Sequence, residues 1–226
     1  MFLLTDRDYA TLIMDTGTLL MIISIIYLIL LHRKKGHADE ACFMVLLGLN
    51  MVMAVGDVIG YVFETKDFAY ARVLSTFGMT FFYIAFVTIS MTWLHYCRIR
   101  FRGVSKKEHF AIEYLPGIVM IILVAITGFT GWVFSYDENM AYNRGFLFIP
   151  MYILMAAYII VGFVIISKYR DQSSGKVLIP AWVYGIPIIV GMIFTFLVPN
   201  SASFAPISTA MSIVFTHMGT VNEIKG

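Results

Sequence analysis

Apolar residues run along this chain in blocks of about 20, the length a helix needs to cross the hydrocarbon core of a bilayer. Short polar connections separate them. The blocks lie at about residues 10–32, 41–63, 69–97, 110–134, 146–167, 177–198 and 205–222. The first is the plainest, since Leu19 to Leu31 contains a single serine. The last is the most dilute, with Ser208, Thr209, Ser212 and Thr216 among its apolar residues. Small hydroxyl residues suit contacts between helices inside a membrane bundle, so the seventh helix is expected to face protein more than lipid. The pattern predicts an all-α fold: one domain over residues 1–226, an integral membrane bundle of seven transmembrane helices.

The connections set the orientation. The first, third and fifth carry Arg33, Lys34, Lys35, then Arg98, Arg100, Arg102, Lys106, Lys107, then Lys168, Arg170 and Lys176. The N-terminal tail and the even connections offer Arg7, Lys66, Arg72 and Arg144. Lys and Arg accumulate on the cytoplasmic side, which places the N-terminus outside and the C-terminus inside. An odd number of crossings gives the same answer. The first residues, with Asp6 and Asp8, lack the positive start of a cleaved signal peptide, so the first helix is expected to stay as an anchor.

Composition narrows the class. Hydrophobic residues make up 60% of the sequence and charged residues 13%, which excludes an ordinary soluble domain. Nothing in it marks a nucleic-acid binder. Cys42 and Cys97 fall at cytoplasmic ends, where a structural disulfide is not expected. No linker, low-complexity stretch or second domain interrupts the pattern. The prolines (Pro116, Pro150, Pro180, Pro187) do not recur in two halves, so the repeats usual in secondary transporters are not apparent.

Polar residues inside the blocks carry the candidate chemistry, because ionisable groups at membrane depth are costly. Asn50, Ala54, Asp57, Tyr61 and Glu64 share one face of the second helix, and Arg72, Thr76, Thr80, Tyr83 and Ser90 follow helical spacing on the third. Asp15, Asp57 and Arg72 lie roughly 5 to 9 Å below the outer surface at 1.5 Å per residue. Tyr152, Trp132 and Tyr136 fall near the same layer. Three readings stand side by side: a structural seam in which Asp57 and Arg72 pair, a ligand pocket open to the outside, and a proton or ion path. The candidate ligand-binding residues are Asp15, Asp57, Tyr61, Arg72, Tyr83 and Tyr152. Simple snorkelling of Arg72 and an aromatic belt at the membrane boundary are the plainer account of the same residues.

Elsewhere the signals are weak. His109 and Glu113, four apart beside Lys106 and Lys107, read as a local charge cluster. His95 and His217 read as interfacial histidines. No His-x-x-x-His pair, nucleophile elbow or Gly-rich phosphate loop is present, so no catalytic residue, cofactor or metal is expected. The seventh block has no mid-span Lys for a retinal Schiff base, and the third ends His95-Tyr96-Cys97-Arg98 rather than Asp-Arg-Tyr.

The stretch from Gly56 to Arg98 resembles the N-terminal membrane modules of bacterial signalling proteins that precede a diguanylate cyclase (GGDEF) or histidine-kinase output. The resemblance rests on Asp57, Phe63-Glu64, a short loop from Thr65 to Phe68, and a third helix crowded with Phe77, Phe81, Phe82, Tyr83 and Phe86. Pro206 to Thr209 and Val221 to Glu223 are similar to the last helix of such modules. The resemblance implies a sensor in the bacterial plasma membrane that couples a stimulus or small ligand to a cytoplasmic output through the seventh helix, at Thr216, His217 and Glu223. It allows a homodimer. The sequence ends where an output domain would begin, so a separately encoded or continuing output partner is expected. The alternatives are a small transporter or channel using the Asp15, Asp57 and Arg72 layer, and a purely structural membrane partner.

Overall fold

The computed structural model describes residues 6–32, 38–64, 66, 69–99, 110–169, 178–197 and 204–224. Within them the elements run α1 (Asp6–His32), α2 (Ala38–Phe63), α3 (Ala71–Cys97), α4 (Phe110–Ala125), α5 (Thr127–Thr130), β1 (Phe134–Tyr136), β2 (Tyr142–Arg144), α6 (Phe148–Lys168), α7 (Leu178–Leu197) and α8 (Ala205–Ile224). Each apolar block holds one long helix. Among the described residues, four helices are long and apolar enough to cross a membrane: Asp8–Leu30, Ala41–Phe63, Ala71–Cys97 and Phe148–Lys168. Glu113–Ala125, Gly185–Thr195 and Ala205–Val214 are shorter apolar helices.

The exposed surface of α1 is unlike that of a water-soluble bundle. On α1 the buried positions are Asp8, Thr11, Asp15, Thr18, Ile22, Ile25 and Ile29, a stripe with alternating steps of three and four. Its N-terminal half is polar. The opposite face exposes Ile13, Leu20, Ile23, Tyr27 and Leu30. Water would penalise that exposed apolar face, whereas lipid favours it.

The fourth block departs from expectation. Instead of a helix over 110–134, α4 stops at Ala125 and the chain reverses through α5 into a β-hairpin, the one strand pairing in an otherwise helical fold among the described residues. Gly131 explains the stop, because its left-handed backbone (φ 68°) closes α5 with an N–H bond to the Thr127 carbonyl. Thr127 then ties the reversal: its Oγ1 accepts the N–H groups of Val133 and Phe134 at 3.0 and 3.3 Å. β1 and β2 pair antiparallel with Tyr136 opposite Tyr142. The Asp137 carboxylate closes the turn by accepting the N–H groups of Asn139 and Ala141.

The most extensive helix contact is between α2 and α3. Gly56 and Gly60 lie one turn apart on α2 and meet Gly78 of α3. A Cβ on Gly56 would stand 2.8 Å from the Gly78 carbonyl oxygen and 2.8 Å from the Phe82 nitrogen, and one on Gly78 would stand 2.5 Å from the Gly60 nitrogen. These are backbone atoms that cannot step aside. Small residues at such spacing let two membrane helices touch along their backbones. Gly78→Leu is therefore expected to lower stability by about 1–3 kcal/mol or more, read as a fall in melting temperature in detergent. Gly17→Ala, at a position with nothing within 4 Å of the added carbon, serves as the neutral control.

Candidate functional site

The polar residues of α1 and α2 meet along one seam. Asp15 and Asp57 are each 1% exposed, and their carboxyl groups lie within side-chain hydrogen-bonding reach of one another. Two turns toward the chain's N-terminal end of α1, Asp8 pairs with Lys66 at 2.7 Å. Two turns along α2 in the other direction, the Asn50 amide donates to the Pro206 carbonyl at 3.4 Å, joining α2 to the first turn of α8. Pro206 fits there because a first-turn residue has no helical partner for its N–H. Ser208 of α8 sits against Gly191 of α7.

Beside this seam stands a cluster of phenols. The Tyr83 and Tyr142 hydroxyls are 2.6 Å apart. Tyr152 packs against Phe148 and Phe86, with centroids 4.7 and 5.8 Å away. Tyr61 lies within electrostatic reach of the Tyr83 and Tyr152 hydroxyls, as Asp57 does of Tyr152. Of the six candidate residues, Asp15 and Asp57 are thus in contact, and Tyr61, Tyr83 and Tyr152 gather next to them.

Arg72 belongs elsewhere, which corrects its expected pairing with Asp57. It is exposed, and its guanidinium donates to the carbonyl of Tyr136 in the hairpin. A charged group at the first turn of a membrane helix gains more from a surface carbonyl than from a dry interior. The hairpin also occupies the mouth where an open pocket was expected. Phe134 and Tyr136 are buried, Phe134 lies 5.6 Å from Tyr83 and stacks on Tyr142, and Glu64 accepts the Tyr142 N–H at 3.3 Å. Arg144 donates to the Thr195 carbonyl at 2.8 Å and lies over the Phe148 ring, clasping α7 and α6. Trp132 stays 38% exposed, in keeping with a boundary aromatic. A groove of about 340 Å³ lies between α2 and α3 among Val52, Val55, Ile59, Phe77 and Phe81 and is apolar.

At the opposite end of the bundle, Arg98 and Glu113 form an ion pair between α3 and α4. Tyr114 meets Nδ1 of His95 at 3.3 Å. His109, Lys106 and Lys107 lie outside the described residues. The Tyr158 hydroxyl of α6 enters the α4 ladder: it accepts the Gly117 N–H and donates to the Glu113 carbonyl, both at 3.0 Å. Those two groups would otherwise bond each other, and Pro116 between them already lacks an N–H. Cys42 and Cys97 are buried thiols outside any disulfide. Thr216, His217 and Glu223 fall on α8, but their side chains lie outside the described ones.

Sequence reasoning overlooked Tyr142, Lys66 and Tyr158. Only the first two carried a signal: a tyrosine in a turn-rich segment after an apolar block, and a lone cation in an acidic outer loop. The chain matches no protein-family model, no curated protein and no solved structure. The long apolar helices and their exposed apolar faces define its class as a membrane-embedded helical bundle.

Burial, reinforced by the nearby Glu64 carboxylate, pushes the Tyr136 hydroxyl well above the usual phenol range, and burial does the same to Tyr142 against the opposing influence of its bond to Tyr83. Both phenols are neutral in the folded hairpin. Their contribution to stability is full below the unfolded value of about 10 and declines as pH rises past it. Alkaline titration followed by tyrosinate absorbance should show these two ionising only together with loss of the folded hairpin, and Tyr136→Phe should move that transition to higher pH.

Proposed function

We propose that the chain is a membrane sensor module of the bacterial plasma membrane, with seven crossings, its N-terminus outside and its C-terminus in the cytoplasm. It couples a stimulus at the outer half of the bundle to a cytoplasmic signalling output through α8. The observation that carries this reading is the Asn50 to Pro206 bond, which connects the helix bearing Asp57 to the start of the last helix. The four helices long enough to cross, the three shorter apolar helices and the basic odd-numbered connections support the crossings and the orientation. A stimulus that favours one setting of α2 by about 1 to 3 kcal/mol shifts the output roughly 5- to 150-fold.

A small transporter is the second reading, favoured by the Asp15 and Asp57 carboxyl groups buried side by side. Fusing a diguanylate cyclase in helical register after Gly226 separates the two. In the sensor, Asn50→Leu changes cyclic-dinucleotide output severalfold relative to wild type, and Gly17→Ala does not. Equal output from all folded, inserted variants under every stimulus tried would count against the sensor and advance the transporter.

Orientation is tested on intact cells with a membrane-impermeant thiol reagent. A cysteine at Asp137 should react and one at Lys106 should not; the buried native thiols keep the background low. The reverse pattern would overturn the topology.

A further inference from the structure

We propose that Asp15 and Asp57 form a proton-binding site, in which the two carboxyl groups share a single proton. This stands whether the bundle senses or transports. Both side chains are 1% exposed, and each carboxyl lies within hydrogen-bonding reach of the other. No N–H or O–H group among the described residues donates to either oxygen of Asp15. What faces Asp15 is another acid. An ionised carboxylate only accepts hydrogen bonds, so two ionised groups in this contact would set lone pairs against lone pairs and like charges together in an apolar bundle. A single proton turns one of the two into a donor and removes one charge, the arrangement that closely placed carboxyl pairs adopt.

The surrounding groups leave the proton its role. On α1 itself, Asp8 is held by Lys66, roughly 10 Å away along the helix. On α2, Tyr61 flanks the site, and Glu64 takes the Tyr142 N–H. α3 contributes Tyr83, α6 contributes Tyr152, and the hairpin contributes Tyr136, Tyr142 and Arg144, the last bonded to the Thr195 carbonyl. Arg72 is turned to the hairpin. Among the described side chains of α8, the buried polar ones are Ser208, Thr209 and Ser212, which do not titrate. The competing occupant is a metal cation between the carboxylates, yet among the described residues no third Asp, Glu, His or Cys joins the pair.

Infrared spectroscopy of the full chain in lipid at neutral pH tests this. The expected result is the carbonyl stretch of a protonated carboxylic acid, shifting downward in heavy water and indifferent to replacing sodium by a bulky organic cation. It should vanish in Asp15→Asn and in Asp57→Asn, where the new amide N–H takes over as donor, and persist in Glu64→Gln. Absence of the band in wild type overturns the proposal, as does its unchanged survival in either Asn variant. A melting temperature that rises with sodium in wild type and not in Asp15→Asn would assign the site to a cation instead. Should Asp15→Asn fail to insert, an unmoved band in Asp57→Asn is decisive against the shared proton.

Discussion

How closely α2 can approach α3 governs the half of the molecule that bears the hairpin. With hydrogen in place of a side chain at Gly56, Gly60 and Gly78, the two backbones touch, and the contact fixes the rotation of α2 as well as its distance. Each residue turns the helix by about 100°, so locking Gly56 and Gly60 onto α3 also sets where their neighbours Asp57 and Tyr61 point. Asp57 is directed to Asp15 of α1, and Tyr61 to the phenols around Tyr83 and Tyr152. The acid pair is thus a consequence of a contact in which neither acid takes part.

The hairpin obeys a different constraint. Backbone that is neither helix nor closed sheet must find partners for its N–H and C=O groups wherever water is scarce. Two charged side chains at the edges of the bundle supply them, Glu64 at the end of α2 for the Tyr142 N–H and Arg72 at the start of α3 for the Tyr136 carbonyl. Arg144 of the hairpin returns the favour to the end of α7. These residues read as loop charge in a linear sequence, yet they serve as fasteners, with Phe134 and Tyr136 filling the space beneath.

The helices were legible because the apolar blocks are long and their limits sharp. α1, α2 and α3 fall within a few residues of the blocks seen in the sequence. The fourth was misjudged at its end, since Trp132, Val133 and Phe134 keep the segment hydrophobic after Gly131 has already reversed the chain; hydropathy records solubility and is blind to a left-handed glycine. The shared depth of Asp15 and Asp57 could be read from counting, because depth is linear in residue number. Which group each one meets could not, since that depends on helix rotation, and the pairing expected of Asp57 and Arg72 failed on this point. The same limit hid Tyr158, an unremarkable tyrosine in an apolar run until α6 stands beside α4.

Tyr158 bears on the order in which the protein is built. The ladder of α4 is incomplete by itself, since Pro116 has no N–H to give and the Gly117 N–H and Glu113 carbonyl are bridged through a hydroxyl of another helix. α6 follows α4 along the chain by way of the hairpin, so during synthesis the earlier helix forms before the hydroxyl that bridges it exists. Until then the Gly117 N–H and the Glu113 carbonyl have only each other, beside Pro116, which has no N–H. Arrival of α6 inserts its hydroxyl between them and fastens the two helices with one pair of bonds, so that α4 exchanges an internal rung for a link to its native neighbour.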